Sequence, residues 1–184
     1  DIHGNIPALE STLADIRHRG IEIIYCLGDL IGKGPDSDKV VDICQEVCKE
    51  VVRGNWDDYI NQPTTKPSRL WHQNRLGADR LKYLHELPGV LDLTMSGQRV
   101  RLFHASQRSV HYRVYYWAEF DKLKAMFENT EFTGYTRSTP NIVVYGDIHE
   151  AFMLPVVGGR LVNAGSIGNP TDRIPMASYC ICLL

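Results

Sequence analysis

No apolar run in this 184-residue sequence approaches the roughly 20 residues that a bilayer-spanning helix needs, and no charged-then-apolar leader opens it. The expectation is a soluble, cytoplasmic protein, with the reservation that the sequence starts at Asp1 without an initiator Met and an upstream segment could have been lost. Charge of one sign is also missing. Twenty Lys and Arg stand against 22 Asp and Glu, a formal net charge of -2, so no global positive field draws nucleic acid or an anionic membrane surface. Neither general nucleic-acid binding nor a membrane partner is expected. The five cysteines (Cys26, Cys44, Cys48, Cys180 and Cys182) form no Cys-x-x-Cys pair and no small-scaffold spacing. They read as reduced thiols among apolar neighbours rather than a disulfide framework or structural zinc site. Repeats, low-complexity tracts and linkers are absent too. With 43% hydrophobic and 23% charged residues the composition is that of a folded protein, and the length fits one domain over residues 1–184.

Apolar periodicity after Asn5-Ile6-Pro7, through Leu9, Leu13 and Ile16, predicts a helix ending before Gly20. Ile21 to Leu27 predicts a strand that stops at Gly28-Asp29, followed by a Gly/Pro-rich turn. A second helix is expected over Ser37 to Lys49, a short strand over Glu50 to Arg53, and a long helix over Leu70 to Leu87. Val90 to Thr94 and Val100 to Phe103 form a hairpin-like pair around Ser96-Gly97 whose second strand ends at His104. Ala118 to Phe127 reads as helix. Ile142 to Tyr145 reads as a buried strand running into Gly146-Asp147-Ile148-His149, and short strands alternate with turns beyond it.

Five strand-to-loop transitions, counting the abrupt start, thus carry Asp1/His3, Asp29, Asn55, His104 and His149, with Asp147 beside the last. Loops at the carboxyl ends of strands converge on one edge of a sheet in α/β folds, so residues distant in sequence can share a site there. Asp and Asn oxygens mixed with imidazole nitrogens suit divalent Mn, Fe, Mg or Zn. Taken singly, each residue has a plainer reading: an Asp-x-His cap, a turn carboxylate, an Asx-turn, a satisfied strand-end histidine. Their shared order favours a hydrolytic metal centre.

Asp1-Ile2-His3-Gly4-Asn5, Gly28-Asp29, Gly54-Asn55, His104, a terminal Gly-x-x-His and Asn163-Ala164-Gly165-Ser166-Ile167-Gly168, in that order, resemble the signature of the calcineurin-like metallophosphoesterase superfamily. The likeness is strongest to its small bacterial branch of phosphodiesterases and dinucleotide-polyphosphate hydrolases. It implies an α/β fold, a two-sheet β-sandwich flanked by helices in α/β/β/α layers, whose first strand would precede Asp1. It also implies that Asp1, His3 and His149 hold one metal, that Asn55 and His104 hold a second, and that Asp29 bridges both. Two divalent ions, manganese first and Fe, Mg or Zn otherwise, would activate a hydroxide for attack on a phosphodiester or nucleotide-like phosphoanhydride. Asp29, Asn55 and His104 are the catalytic candidates. Arg53, with Asn55, would hold the phosphate of a small phosphorylated substrate.

Two positions depart from the family pattern. Trp56 follows Gly54-Asn55 where the family usually has a histidine that assists the leaving oxygen, and indole cannot protonate it. General-acid help is typically a factor on the order of 10²–10⁴, so good leaving groups such as phosphoanhydrides or aryl esters would suit the site. Asp147 stands where a histidine usually serves the second metal, which makes that ion less secure than the first. A binding scaffold of the same fold and a phosphoprotein phosphatase are the alternatives. His18, His72, His85 and His111 carry no comparable context, Tyr112, Tyr115, Tyr116 and Trp117 read as packing, and Ser166 has no acid–base neighbour that would make it a nucleophile.

Overall fold

The computed structural model describes residues 1–156 and 158–182. In chain order these residues form α1 (Ile6–His18), β1 (Tyr25–Cys26), α2 (Ser37–Val47), β2 (Glu50–Val51), α3 (Asn55–Ile60), α4 (Pro67–Glu86), β3 (Val90–Met95), β4 (Gln98–Phe103), α5 (Phe120–Ala125), β5 (Ile142–Tyr145), β6 (Ala151–Val156) and β7 (Gly159–Ala164). β1 and β2 form a parallel pair; the other strands make a five-stranded mixed sheet in the order β3-β4-β5-β7-β6. β4, β5 and β7 run parallel at its centre, with antiparallel β3 and β6 outside.

Three apolar clusters set the layers. Leu9, Leu13, Val40, Val41, Leu76 and Leu84 pack α1, α2 and α4 over the β1–β2 pair. Val52, with Tyr25 and Leu27 beside it, meets Val100, Leu102, Val144 and Val162 of the larger sheet. That sheet's other face, through Phe103, Val143, Tyr145 and Leu161, packs against Leu123, Met126 and Val114. The result is an α/β fold in which two sheets face each other between helices, as the family resemblance implies.

The differences lie where partners, rather than propensity, decide. Ile21 to Ile24 is rich in β-branched residues, yet the strand contracts to Tyr25–Cys26, because its ladder with β2 has only two rungs, Tyr25 with Glu50 and Cys26 with Val51. Ile23 is left 58% exposed. The strand expected over Glu50 to Arg53 shortens for the same reason. The long helix begins earlier, at Pro67, and is broken at Gly77, whose φ of 72° and ψ of 172° are not helical. α3 is an element that the sequence reading does not include. The β3–β4 hairpin turns on Ser96 and Gly97 with φ of 45° and 80°, the positive values that a two-residue turn matching strand twist requires.

Candidate metal centre

Backbone hydrogen bonds lace the five loops together. Asp29 O accepts from the amides of Ile2 and His3 at 2.9 and 3.0 Å, and Gly146 N–H donates to His104 O at 2.9 Å. The Asp1 carbonyl accepts from Ile167 N–H and from the Ser166 hydroxyl, both at 2.9 Å, so Ser166 positions a loop. Asp57, fully buried, ties the second and third loops. Its carboxylate accepts from Asp29 N–H at 2.7 Å, Leu30 N–H at 3.0 Å and Gly54 N–H at 2.9 Å. A Cβ on Gly54 would stand 2.2 Å from both the amide nitrogen and Oδ1 of Asp29, which is why only glycine lets these loops approach. His3, Asp29, Asp147 and His149 all have φ between 53° and 64°, a left-handed backbone that non-glycine residues adopt at a cost of about 1–3 kcal/mol each. Such strain at four neighbouring polar residues is a hallmark of sites held for function.

The side chains converge. One donor atom from each of Asp1, His3, Asp29 and His149 lies within 4.8 Å of all the others, and all four residues are buried. His3 Nε2 is 3.2 Å from His149 Nε2 and 3.5 Å from Asp29 Oδ2, and His149 Nε2 is 3.4 Å from Asp1 Oδ1. On the other side of Asp29, His104 Nε2 lies 3.5 Å from Asp29 Oδ1 and 3.8 Å from Asp147 Oδ1. Asn55 Nδ2 donates to Asp147 Oδ1 at 3.0 Å.

Tautomers follow from the outer contacts. The Nδ1 atoms of His3, His104 and His149 face the carbonyls of Ile31 at 2.9 Å, Leu27 at 2.7 Å and Asn169 at 2.5 Å. The Asn169 amide nitrogen also lies 2.9 Å from His149 Nδ1, but the shorter contact is to a carbonyl, which can only accept, so Nδ1 carries the proton. Each Nε2 is then a lone pair aimed into the site, the arrangement metal-binding histidines adopt. Burial holds these rings neutral. Desolvation, then the positive charge of Lys33, pushes His3 down to about 2 and His149 to about 4, and desolvation takes His104 to about 4. Two neutral Nε2 lone pairs at 3.2 Å cannot hydrogen-bond to each other, and among the described residues Asp1 Oδ1 and His104 Nε2 have no partner. Donors bound to one ion at about 2.0–2.2 Å sit roughly 3.0–3.5 Å apart, so these separations fit a divalent cation. Burial also raises Asp29 and Asp57 to about 6.

Other expected residues stand as follows. Arg53 donates to His85 O at 3.1 Å and lies 3.6 Å from Asp58, so its guanidinium is engaged away from the cluster. Trp56 packs its ring edge-on to His3, with centroids 5.8 Å apart, and its N–H donates to Asp29 Oδ1 at 2.8 Å. It supplies a wall and a backbone donor in place of a proton. Sequence reasoning missed Asp57, Lys33 and Arg113. Asp57 was findable, as an acid in the first turn after Gly54 accepting from the N-cap amide. Arg113 was not. It comes from the irregular segment between β4 and α5 and grips both oxygens of Asp147 at 2.8 Å.

A buried Asp/His/Asp/His cluster with inward lone pairs, on loops at one edge of an α/β sheet, defines a metal-dependent hydrolytic centre. The sequence profile of the calcineurin-like phosphoesterase superfamily domain matches residues 1–184. An uncharacterised protein of Methanocaldococcus jannaschii is 31% identical over 98% of this chain and 79% of its own. The phosphodiesterase YfcE of Escherichia coli K12 is 31% identical over 60% of this chain and 76% of its own. The crystal structure of a metallophosphoesterase from Sphaerobacter thermophilus, 24% identical, superposes with a TM-score of 0.74, covering 97% of this chain and 79% of that one. The chain belongs to the calcineurin-like phosphoesterase superfamily and is a metallophosphoesterase, a hydrolase that uses divalent metal to cleave phosphoric esters. Among the described residues no helix is long and apolar enough to cross a membrane.

Proposed function

We propose that residues 1–184 act as one domain that hydrolyses a phosphodiester or a nucleotide-like phosphoanhydride with two divalent ions, manganese first and Fe, Mg or Zn otherwise. The observation that carries this reading is the inward-facing set of unsatisfied donors: the two Nε2 atoms at 3.2 Å, Asp1 Oδ1 and His104 Nε2. Asp1, His3 and His149 would hold the first ion, Asn55, His104 and Asp147 the second, and Asp29 would lie between them. Bound there, such ions supply a water activated at neutral pH and polarised phosphoryl oxygens.

The chain's own residues do the rest. The three neutral imidazoles, with Nδ1–H fixed on carbonyls, keep their orientation as charge develops. Asn55, at the start of α3, and Arg53 beside it would hold the phosphoryl oxygens, Arg53 by exchanging its 3.6 Å contact with Asp58 for a substrate oxygen. Trp56 offers no proton to the departing oxygen, so substrates whose leaving group needs none are favoured. Tyr115 and Trp117 stack with centroids 4.7 Å apart at 10°, and Trp117 is 67% exposed. Close in sequence to Arg113, this flat aromatic surface suits a base or aryl group on a small substrate. The phosphodiesterase activity named for the Escherichia coli relative supports the diester class.

The test is hydrolysis of bis-p-nitrophenyl phosphate, p-nitrophenyl phosphate and a dinucleotide polyphosphate with and without Mn, in the native protein and Asp29→Asn. Manganese-dependent turnover, highest on the diester or the polyphosphate and lost in Asp29→Asn, is expected. Folded protein that binds no metal and turns over none of the three would overturn the proposal.

A further inference from the structure

The two halves of the centre differ in what already neutralises them. Around Asp1, His3, Asp29 and His149 no arginine or lysine makes an ion pair with a carboxylate among the described residues. Around Asp147 a cation is in place. Arg113 Nε donates to Oδ2 and Nη2 to Oδ1, each at 2.8 Å, the two-pronged geometry in which guanidinium binds a carboxylate most tightly. Asn55 Nδ2 adds a third donor on Oδ1. A carboxylate offers about four lone-pair positions, so three donors leave Asp147 little with which to bind a metal. The partners also differ in freedom. The Asp147 side chain is 2% exposed, whereas that of Arg113 is 45% exposed. Only Arg113 can swing out into solvent, and the buried charge it then leaves on Asp147 is one that an incoming cation would meet.

We propose that Arg113 governs the second metal position: its guanidinium competes with a divalent ion for the carboxylate of Asp147, so the ion enters only as Arg113 leaves. This rests on the metal reading above and adds the device that makes the two positions unequal. An arginine 45% exposed beside the ion site would also have a destination when it leaves, because a phosphoryl oxygen accepts the same fork of donors. Arg113 is a positioning residue here, acting on the second ion through Asp147.

Titration calorimetry of the chelator-stripped full chain with Mn alone tests this without recourse to turnover. The native protein is expected to show one tight event and a second that is weaker by at least about tenfold, the scale of one displaced unit charge beside a divalent ion. Arg113→Gln should tighten the second event by about tenfold or more and leave the first unchanged. Arg113→Lys, which keeps the charge and loses the fork, should fall between the two. In an Asp147→Asn background, Arg113→Gln should shift the second event by less than about twofold, since the competition runs through that carboxylate. Thermal melts of each variant confirm that folded protein is titrated. Two events of equal affinity in the native protein, or an unchanged second event in Arg113→Gln, would overturn the proposal. Absence of any Mn event would overturn the metal reading and this inference with it.

Discussion

Asp57 is the buried tie whose loss the structure lets one price. Asp57→Ala removes the acceptor of three backbone amides, those of Asp29, Leu30 and Gly54, at 2.7 to 3.0 Å and out of contact with water. Hydrogen bonds to a charged acceptor contribute about 1.5–3 kcal/mol each, so three contribute about 4.5–9 kcal/mol. Burial and the neighbouring charge of Asp29 work against those bonds and leave the carboxyl raised from 3.8 to about 6. Stranding three buried amides at about 1–3 kcal/mol each puts the cost of Asp57→Ala at about 3 kcal/mol or more, a large share of the ~5–15 kcal/mol that holds a domain together. Urea denaturation of metal-free protein measures it. The pH dependence has a definite sign. A carboxyl whose folded value is raised binds its proton more readily when folded, so its stabilisation is greatest below the unfolded value and is lost as pH rises through about 6. The gap between native and Asp57→Ala should therefore be wider at about pH 5 than at about pH 7.5, by about 1.4 kcal/mol. A gap below about 1 kcal/mol at both values would refute the accounting, since even one stranded buried amide costs that much.

Further outcomes follow from the same contacts. Saturating Mn at about 100 times its dissociation constant should stabilise the native protein by about 2.7 kcal/mol, a rise of roughly 5–10 °C in melting temperature. His149→Ala should abolish most of that rise in a thermal-shift measurement. Gly54→Ala puts a methyl 2.2 Å from Asp29 N and Oδ1; the overpacking should cost about 1–3 kcal/mol and weaken the tight Mn event in calorimetry, because Asp29 must move. Remote from the centre, Arg101 is wholly buried and clasps Asp92 at 2.7 and 3.1 Å. Asp92→Ala strands that charge and should cost about 3 kcal/mol in urea denaturation, whereas a cost under about 1 kcal/mol would mean that the pair is idle.

What was legible in the sequence is what local chemistry determines. Gly28-Asp29, Gly54-Asn55 and Gly146-Asp147 each end a β-branched or apolar stretch with a residue that tolerates φ > 0, and Asp29 and Asp147 do adopt it. The turn chemistry that lets the chain leave a strand also placed the candidate ligands at the sheet edge. Ile21 to Ile24 failed because β-branching expresses a preference that only a partner strand can satisfy, and β2 offers two rungs. Arg113 was invisible for a related reason. Its pairing with Asp147 spans 34 residues and comes from a segment with no periodicity, so nothing in its own neighbourhood signals the contact.

In the metal-free chain the centre is an accumulation of unfavourable terms: four residues in left-handed backbone, two lone pairs at 3.2 Å, an unpartnered Asp1 oxygen, and Asp29 raised by burial. An ion held by these atoms would satisfy the lone pairs and the carboxylate oxygens and so offset the backbone cost, which makes the groups that are costly on their own complementary to a cation. The relief already present is one-sided. Arg113 neutralises Asp147, while at His3 and His149 burial, with Lys33 acting at a distance, keeps the rings neutral and no cation pairs with the carboxylates among the described residues. A chain that needed two tight ions at all times would gain nothing from a forked cation at the second position. One that admits the second ion as phosphate draws Arg113 away needs such a group, held by a buried carboxylate and free to leave on its solvent side.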